Sequence, residues 1–303
     1  MSASLRNTAA KPGPARRSVL ITGASSGIGY SCSLDMAARG WRVFAAVRKE
    51  ADAATLTGAS SGKITPVIMD IIDYESVKKA AREVGERIGG AGLDALFNNA
   101  GISVQGPTEI VPIGMFEQQM RVNVFGHLFV TQTFLPLIRR ARGRIVFMSS
   151  ESGRITFPMM GPYSASKFAL EAMANALRIE LLPSRIWVSL VEAATIKTPM
   201  WDKIDNTTEK LLATISPELK ELYRTELDTL VHFPKKQAES GIPMKKAVRV
   251  IRRALTSRRP KARYLIGWEA RMLIFMHRVL PVRIVDWISS KAVRILGRMS
   301  KPK

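Results

Sequence analysis

A tyrosine and a lysine stand four residues apart, as Tyr163 and Lys167. On a helix this spacing places both side chains on one face, one turn apart. An ammonium stabilises a neighbouring phenolate, so we expect the pKa of Tyr163 to fall below its usual value of about 10. Tyr163 could then act near neutral pH as a general acid in a reduction or a general base in an oxidation. A surface pair without function is the alternative.

Three further polar segments have positions that suit chemistry. Ser150 precedes Tyr163 by 13 residues and follows a predicted strand, and Asn98–Gly101 follows another. Catalytic groups of open parallel sheets gather at the carboxyl ends of the strands. Asn123 lies within a predicted helix that is otherwise apolar. It is either part of this site or a buried amide that satisfies backbone groups.

Short apolar runs alternate with helical segments up to about residue 195, which indicates βαβ units around a parallel sheet. The predicted strands cover 18–22, 41–47, 64–69, 93–97, 144–148, 186–191 and 263–266, and the predicted helices cover 28–39, 77–88, 116–140 (broken near Pro136), 163–182 and 243–256. We therefore predict an α/β fold with one doubly wound, Rossmann-type parallel sheet. The catalytic domain is predicted at 18–267, with one or two lid helices in 198–242.

The first predicted strand leads into the segment 22–29, which reads TGASSGIG and opens a helix. Glycines there permit a tight turn and close approach of the backbone to a pyrophosphate, and the helix N-terminus favours negative charge. A dinucleotide-binding turn is the favoured interpretation, and a merely structural turn is the alternative. We predict no metal site.

The end of the second strand indicates which dinucleotide binds. A free ribose 2′-hydroxyl usually meets an acidic residue there, whereas Arg48 suits a 2′-phosphate and Lys49 adds positive charge. We therefore favour NADP(H) over NAD(H), although Glu50 lies close by. Both cations could instead be solvated loop residues.

At this point the sequence resembles the short-chain dehydrogenase/reductase family, most of all its steroid and retinol dehydrogenase-type members. The resemblance covers about residues 18–200 and rests on Thr22–Gly29, Asp70, Asn98–Gly101, Asn123, Ser150, Tyr163 and Lys167. It implies that Ser150 polarises the substrate oxygen, that Tyr163 transfers the proton, and that Lys167 holds the nicotinamide ribose. It further implies that Asn123 holds a water in the proton relay.

The resemblance, together with the glycine-rich turn and Arg48 discussed above, gives the full set of predicted cofactor contacts. These residues are Gly23, Ser25, Ser26, Gly27, Ile28, Gly29, Arg48, Asp70, Ile71, Asn99, Ala100, Gly101, Tyr163, Lys167, Ile196 and Thr198. One departure follows the sixth strand, where the family usually has Pro-Gly and this chain has Ala193-Ala194. Alanine tolerates positive φ less well than glycine, so we expect a shifted loop beside the nicotinamide.

The net charge of +21 is concentrated at the two ends of the chain. Residues 1–17 hold four basic and no acidic residues and are predicted to be a disordered leader, while 245–303 hold 17 basic residues against Glu269 and Asp286. With Cys32 as the only cysteine, a reduced, cytosol-facing compartment is expected. No run is long enough to span a bilayer.

The tail 268–303 interleaves apolar and basic residues, and Pro281 divides it into two amphipathic pieces. Such helices can lie on an anionic membrane, or they can pack on the domain or on a second subunit. We expect a homo-oligomer and no binding of nucleic acid, because the charges accompany an apolar stripe and no nucleic-acid motif is present.

The function that these features favour is NADP(H)-dependent interconversion of an alcohol and a ketone or aldehyde. Apolar lid residues are compatible with a lipophilic substrate such as a steroid or retinoid, and equally with ordinary lid packing; they are Met159, Met160, Met200, Trp201 and Phe233. The alternative function is a non-catalytic NADP(H)-binding regulator or scaffold.

Overall fold

The computed structural model describes residues 16–299, with side chains described except at 202–203, 205–206, 232–238 and 292–299. Most of the predicted leader, residues 1–15, lies outside the described residues. The strands are β1 (Ser18–Ile21), β2 (Arg42–Val47), β3 (Ile64–Ile68), β4 (Ala95–Asn98), β5 (Arg144–Met148), β6 (Trp187–Ala193) and β7 (Arg263–Ile266).

All strand pairs are parallel, and the order across the sheet is β3-β2-β1-β4-β5-β6-β7. The predicted doubly wound parallel sheet is confirmed. The chain adds β2 and β3 on one side of β1 and the later strands on the other side, so the strand order reverses between β1 and β4. Ligands of open α/β sheets bind at the carboxyl ends of the strands beside this point.

The helices of the sheet layers and the lid follow the strands in sequence. They are α1 (Gly27–Ala38), α2 (Glu50–Ala59), α3 (Tyr74–Ile88), α4 (Ile113–Met120), α5 (His127–Ala141), α6 (Gly161–Glu180), α7 (Met200–Thr214), α8 (Pro217–Leu222), α9 (Arg224–Ser240), α10 (Met244–Thr256), α11 (Trp268–Val279) and α12 (Val282–Met299). The division of the chain at residues 17 and 267 stays a prediction.

The sheet separates two apolar clusters, because successive side chains of a strand point to opposite faces. Val19 and Ile21 pack in the cluster that includes residues of α1 and α10, whereas Leu20 packs in the cluster that includes residues of α3 and α5. Cys32 is buried within the first cluster, and burial raises the pKa of its thiol. Cys32 therefore serves as a small packing residue of this cluster.

The observed helices differ from the prediction in four details. The helix α2 was not predicted, and the lid contains three helices rather than one or two. The predicted helix 116–140 is instead α4 and α5 joined by a π-helical turn, Arg121–Gly126. Pro136 lies inside α5 without breaking it.

Candidate functional site

The loop between β1 and α1 requires glycine at Gly23, Gly27 and Gly29, either for lack of room or because of the backbone conformation. A Cβ added to Gly29 would lie 2.3 Å from the carbonyl oxygen of Gly23. Gly23 and Gly27 have φ of +65° and +57°, which favours glycine. Ser26 precedes α1 without a side-chain capping bond, so its hydroxyl does not occupy the N–H groups of the first turn. An exposed helix N-terminus of this kind suits a phosphate.

The loop after β4 is tied to the glycine loop by hydrogen bonds. Asn99 Nδ2 donates to the carbonyl oxygens of Thr22 (2.9 Å) and Gly23 (3.2 Å), and Thr22 Oγ1 accepts from the N–H groups of Asn99 and Ala100. His127 Nε2 lies 2.7 Å from the carbonyl oxygen of Ala100. His127 was not recognised as a site residue from the sequence, and neither were the bonds of Thr22 to the second loop, because both depend on contacts between distant segments.

The residues predicted to hold the adenosine end lie at the carboxyl ends of β2 and β3. Arg48 and Lys49 follow β2 directly and are exposed. Asp70 Oδ1 accepts from the N–H of Ile72 at 3.2 Å, which fixes the turn after β3. Ile71 is buried, and its side chain lies against Gly126.

Ser150 and Tyr163 come together at the carboxyl end of β5. Ser150 accepts from the N–H of Ser152 at 3.2 Å, and its hydroxyl lies 3.4 Å from the carbonyl oxygen of Ala193. Burial raises the pKa of Tyr163 to about 12; a hydrogen bond with Ser150 opposes this rise, and the charge of Glu151 adds to it. The expected fall of the Tyr163 pKa below its usual value was therefore wrong, because burial of the phenol outweighs the opposing influence.

Lys167 lies one turn after Tyr163 on α6, as predicted, with its Nζ 5.6 Å from the centroid of the Tyr163 ring. The ammonium donates to the carbonyl oxygen of Met148 at 2.8 Å. Burial lowers the pKa of Lys167 to about 8, and the charge of Glu171 opposes this shift. Burial and the charge of Lys167 lower the pKa of His127 to about 3, so this imidazole is neutral.

Asn123 lies in the π-helical turn and is fully buried. Its Oδ1 accepts from the N–H of Ile102, and its Nδ2 donates to the carbonyl oxygen of Ile102 and to Ser166 Oγ, all within 3.1 Å. The Asn123 amide therefore holds the loop after β4 against α6. This agrees with the interpretation of Asn123 as a buried amide that satisfies backbone groups. The water-holding role implied by the family stays a prediction.

A buried ionic network behind α6 was not predicted. Arg263 on β7 pairs with Glu171 on α6 and with Glu192 on β6, and Arg154 lies 3.5 Å from Glu192. The Glu192 side chain is fully buried. No sequence pattern indicated this network, because it joins residues up to 92 positions apart. It links the outer strand of the sheet to the helix that bears Tyr163 and Lys167.

The segment with the unusual alanines continues the sheet. β6 extends through Ala193, and the N–H of Ala194 donates to the carbonyl oxygen of Ile266 at 3.0 Å. Neither alanine is among the described residues with positive φ, so both side chains are accommodated without backbone strain. Thr198 then reaches the glycine loop, where its side chain would contact a Cβ added to Gly27.

The lid has a small apolar core of its own. Ile110, Leu211, Ile215, Leu227 and Leu230 form this core, with Met159 packed against it. Trp201 Nε1 donates to the carbonyl oxygen of Ile196 at 3.0 Å, which ties the start of the lid to the segment beside the glycine loop. The side chain of Phe233 lies outside the described residues.

These contacts bring the predicted residues to one edge of the sheet. The glycine loop offers a cradle that a Cβ would fill, with an uncapped helix N-terminus beside it. The residues present therefore fit a dinucleotide, with Ser150, Tyr163 and Lys167 at the neighbouring strand ends. A hydroxyl, a protonated phenol and a fixed ammonium can together bind and protonate a carbonyl oxygen.

The family model described as short chain dehydrogenase matches residues 17–209. The chain is 34% identical over 289 residues to the NADPH-dependent 3-dehydrocapnine reductase of Ornithobacterium rhinotracheale, covering 94% of this chain and 100% of that protein. It is 33% identical over 274 residues to retinol dehydrogenase 5 of Mus musculus, covering 88% of this chain and 86% of that protein.

A solved structure of a short chain dehydrogenase/reductase from Burkholderia phymatum, in complex with NAD, superposes with a TM-score of 0.74. It is 22% identical and the match covers 87% of this chain and 93% of that one. At this identity the likeness establishes the shared fold alone.

Proposed function

The chain belongs to the short-chain dehydrogenase/reductase family, and we propose that it is an NADP(H)-dependent oxidoreductase that interconverts a lipophilic alcohol and its ketone or aldehyde. One observation carries this proposal. Ser150 is close enough to the Tyr163 phenol to lower its pKa through hydrogen bonding, and Lys167 lies one turn further along α6, at the same sheet edge as the glycine loop. A parallel sheet built from alternating strands and helices would by itself be compatible with many other functions.

The protonation states favour proton donation by Tyr163. With a pKa of about 12, the phenol keeps its proton at neutral pH and can transfer it to a carbonyl oxygen during reduction. The Ser150 hydroxyl donates a hydrogen bond to the same oxygen and orients it. A nicotinamide cofactor, when bound, supplies or accepts the hydride. The reverse reaction requires the phenolate, whose formation a nearby positive charge assists.

Lys167 contributes position and charge. Its bond to Met148 directs the ammonium toward the end of β5 and leaves further N–H groups for a ribose hydroxyl. Asn123 holds the backbone of Ile102 through both ends of its amide. In this proposal Ser150 and Tyr163 contact the substrate, and Asn123 and Lys167 complete the proton path.

NADP(H) is the proposed cofactor because Arg48 and Lys49 follow β2 and are exposed there. A guanidinium can bind a 2′-phosphate through two parallel hydrogen bonds. The reductase relative named above is NADPH-dependent, which supports the same choice. Gly23, Ser25, Ser26 and Gly27–Gly29 would hold the pyrophosphate, and Asp70–Ile71 and Asn99–Gly101 the adenosine side. Ile196 and Thr198 would close over the nicotinamide end.

The lipophilic substrate rests on the relatives and on the lid. One relative acts on retinol by its name, and the lid has an apolar cluster with Met159 packed against it. We further infer a homo-oligomer in a reduced, cytosol-facing compartment. Within the described residues 16–299, no helix is both long enough and apolar enough to cross a bilayer.

A Tyr163→Phe variant tests the function. Removing the hydroxyl should lower kcat for NADPH-dependent reduction of a retinal or steroid ketone by roughly 10²-fold or more, while NADPH binding persists. Tyr74→Phe, at an exposed tyrosine of α3, is the matched control and should retain full activity. Unchanged turnover in Tyr163→Phe would exclude the proposed proton transfer. Binding of NADPH without turnover of any substrate by the parent chain would favour the non-catalytic alternative.

A further inference from the structure

Helix α11 carries a row of large apolar side chains that face solvent. Trp268, Met272, Phe275 and Val279 follow the spacing i, i+4, i+7, i+11, which places them on one face of the helix. Trp268 is 69% exposed and Phe275 is 65% exposed. Ala270, on the opposite face, is fully buried. The helix therefore packs on the protein through one side and leaves this apolar row uncovered.

Helix α12 repeats this arrangement. Ile284, Trp287 and Ile288 share one face and are exposed, and Lys291 follows on the same face. The Lys291 ammonium lies 4.0 Å from the centroid of the Trp287 ring. Exposed aromatic side chains beside cations are typical of helices that lie in a membrane interface.

Positive charge accompanies both rows. Arg271 and Arg278 flank the apolar row of α11 and are exposed, and Arg283 lies in the first turn of α12. Residues 268–303 contain eight lysines and arginines against Glu269 and Asp286. The surface of these two helices is thus both apolar and cationic, and it complements the negative charge of anionic lipid headgroups.

We propose that the exposed faces of α11 and α12, here called the docking face, bind an anionic lipid surface. A second copy of the chain is disfavoured as the occupant, because it would bring a second cationic face against the first. Nucleic acid complements the charge but leaves four aromatic and aliphatic side chains of α11 in water. An anionic bilayer accepts both the apolar row and the cations.

The docking face lies next to the lid. Helix α12 packs against the lid helix α9, which in turn packs against α7. A bilayer bound at the docking face would therefore lie beside the lid of the proposed site. This consequence rests on the proposed function, whereas lipid binding by the docking face does not.

Sedimentation with vesicles tests the proposal on the full chain. The parent protein should bind vesicles of equimolar phosphatidylglycerol and phosphatidylcholine more tightly than vesicles of phosphatidylcholine alone. Phe275→Ser/Trp287→Ser should weaken binding to anionic vesicles by roughly tenfold or more, because two large apolar side chains no longer insert. Arg271→Gln/Arg278→Gln should weaken the same binding by roughly tenfold and reduce its dependence on salt.

Matched controls separate the docking face from general surface properties. Ile179→Ser/Leu182→Ser removes two exposed apolar residues near the end of α6, and Arg139→Gln/Arg140→Gln removes two exposed cations at the end of α5. Both should bind vesicles as the parent does, and all variants should keep the same melting temperature. Failure of the parent to bind, or equal losses in test and control variants, would overturn the proposal. Dissociation of an oligomer by Phe275→Ser/Trp287→Ser without a change in vesicle binding would also overturn it.

Discussion

The Lys167 ammonium donates a 2.8 Å hydrogen bond to the carbonyl oxygen of Met148, the last residue of β5. This bond ties the helix that carries Tyr163 to the strand end that precedes Ser150. A buried ammonium in such a place is costly unless it is paired or hydrogen-bonded. The pKa of Lys167 is about 8 because burial lowers it. The charge of Glu171, one helical turn further along α6, opposes this shift.

Glu171→Gln should therefore shift the pH dependence of activity. Without the carboxylate, the pKa of Lys167 falls further below 8, so the lysine loses its charge at lower pH. The alkaline limb of the kcat/KM profile for carbonyl reduction should move toward neutral pH, with a smaller effect below pH 7. Glu180→Gln, at an exposed residue of the same helix, is the control and should leave the profile in place. An unchanged alkaline limb in Glu171→Gln would show that Lys167 does not govern it.

Gly29→Ala should disturb both the fold and cofactor binding. The added Cβ would lie 2.3 Å from the Gly23 carbonyl oxygen and 2.7 Å from Asn99 Nδ2, so backbone atoms must shift. We expect a loss of about 1–3 kcal/mol in the free energy of unfolding and weaker quenching of protein fluorescence by NADPH. Gly58→Ala, in α2 with nothing within 4 Å of the added Cβ, should be neutral or stabilising. Equal stabilities of the two variants would contradict the conclusion that the loop has no room for a side chain at Gly29.

Much of the sheet could be predicted from sequence because buried parallel strands read as short apolar runs. Seven such runs indicated seven strands, and the site residues Ser150, Tyr163 and Lys167 follow or face their ends. The helix α2 escaped prediction because Thr55, Thr57 and Gly58 interrupt its apolar pattern.

The rest of the site depends on contacts between distant segments. The π-helical turn at Asn123 arises where that amide bonds to Ile102 and Ser166, which no local pattern indicates. The pKa of Tyr163 depends on how deeply the phenol is buried, which spacing to Lys167 does not give. The partners of Glu192 likewise become visible only when β6 and β7 are paired.

Arg48→Asp should reverse the cofactor preference. The substitution removes a cation that would meet the 2′-phosphate and introduces an acid that accepts from a ribose hydroxyl. We expect KM for NADPH to rise by roughly tenfold or more, since hydrogen bonds to charged groups contribute about 1.5–3 kcal/mol. KM for NADH should stay the same or fall. Arg42→Asp, at the opposite end of β2, is the control for charge alone. Equal affinities of the parent chain for NADPH and NADH would rule out this role.

Glu151→Gln should change how stability depends on pH. Burial and the charge of Glu269 raise the pKa of Glu151 to about 7, well above the usual carboxyl value. Between the unfolded pKa and about 7 the folded state binds more protons than the unfolded state, so this carboxyl makes stability fall as pH rises. The amide removes that loss and should add on the order of 2 kcal/mol to the free energy of unfolding at pH 8, with little change at pH 4.

Urea unfolding at several pH values measures this effect directly. Glu86→Gln, at an exposed residue of α3, is the matched control and should follow the parent curve. Glu269→Gln should give a smaller gain in the same direction, because it removes only the neighbouring charge while Glu151 stays buried. Since the Glu151 charge also raises the pKa of Tyr163, Glu151→Gln should lower the pH at which alcohol oxidation begins. Parallel stability curves for Glu151→Gln and the parent would mean that this carboxyl titrates alike in the folded and unfolded chains.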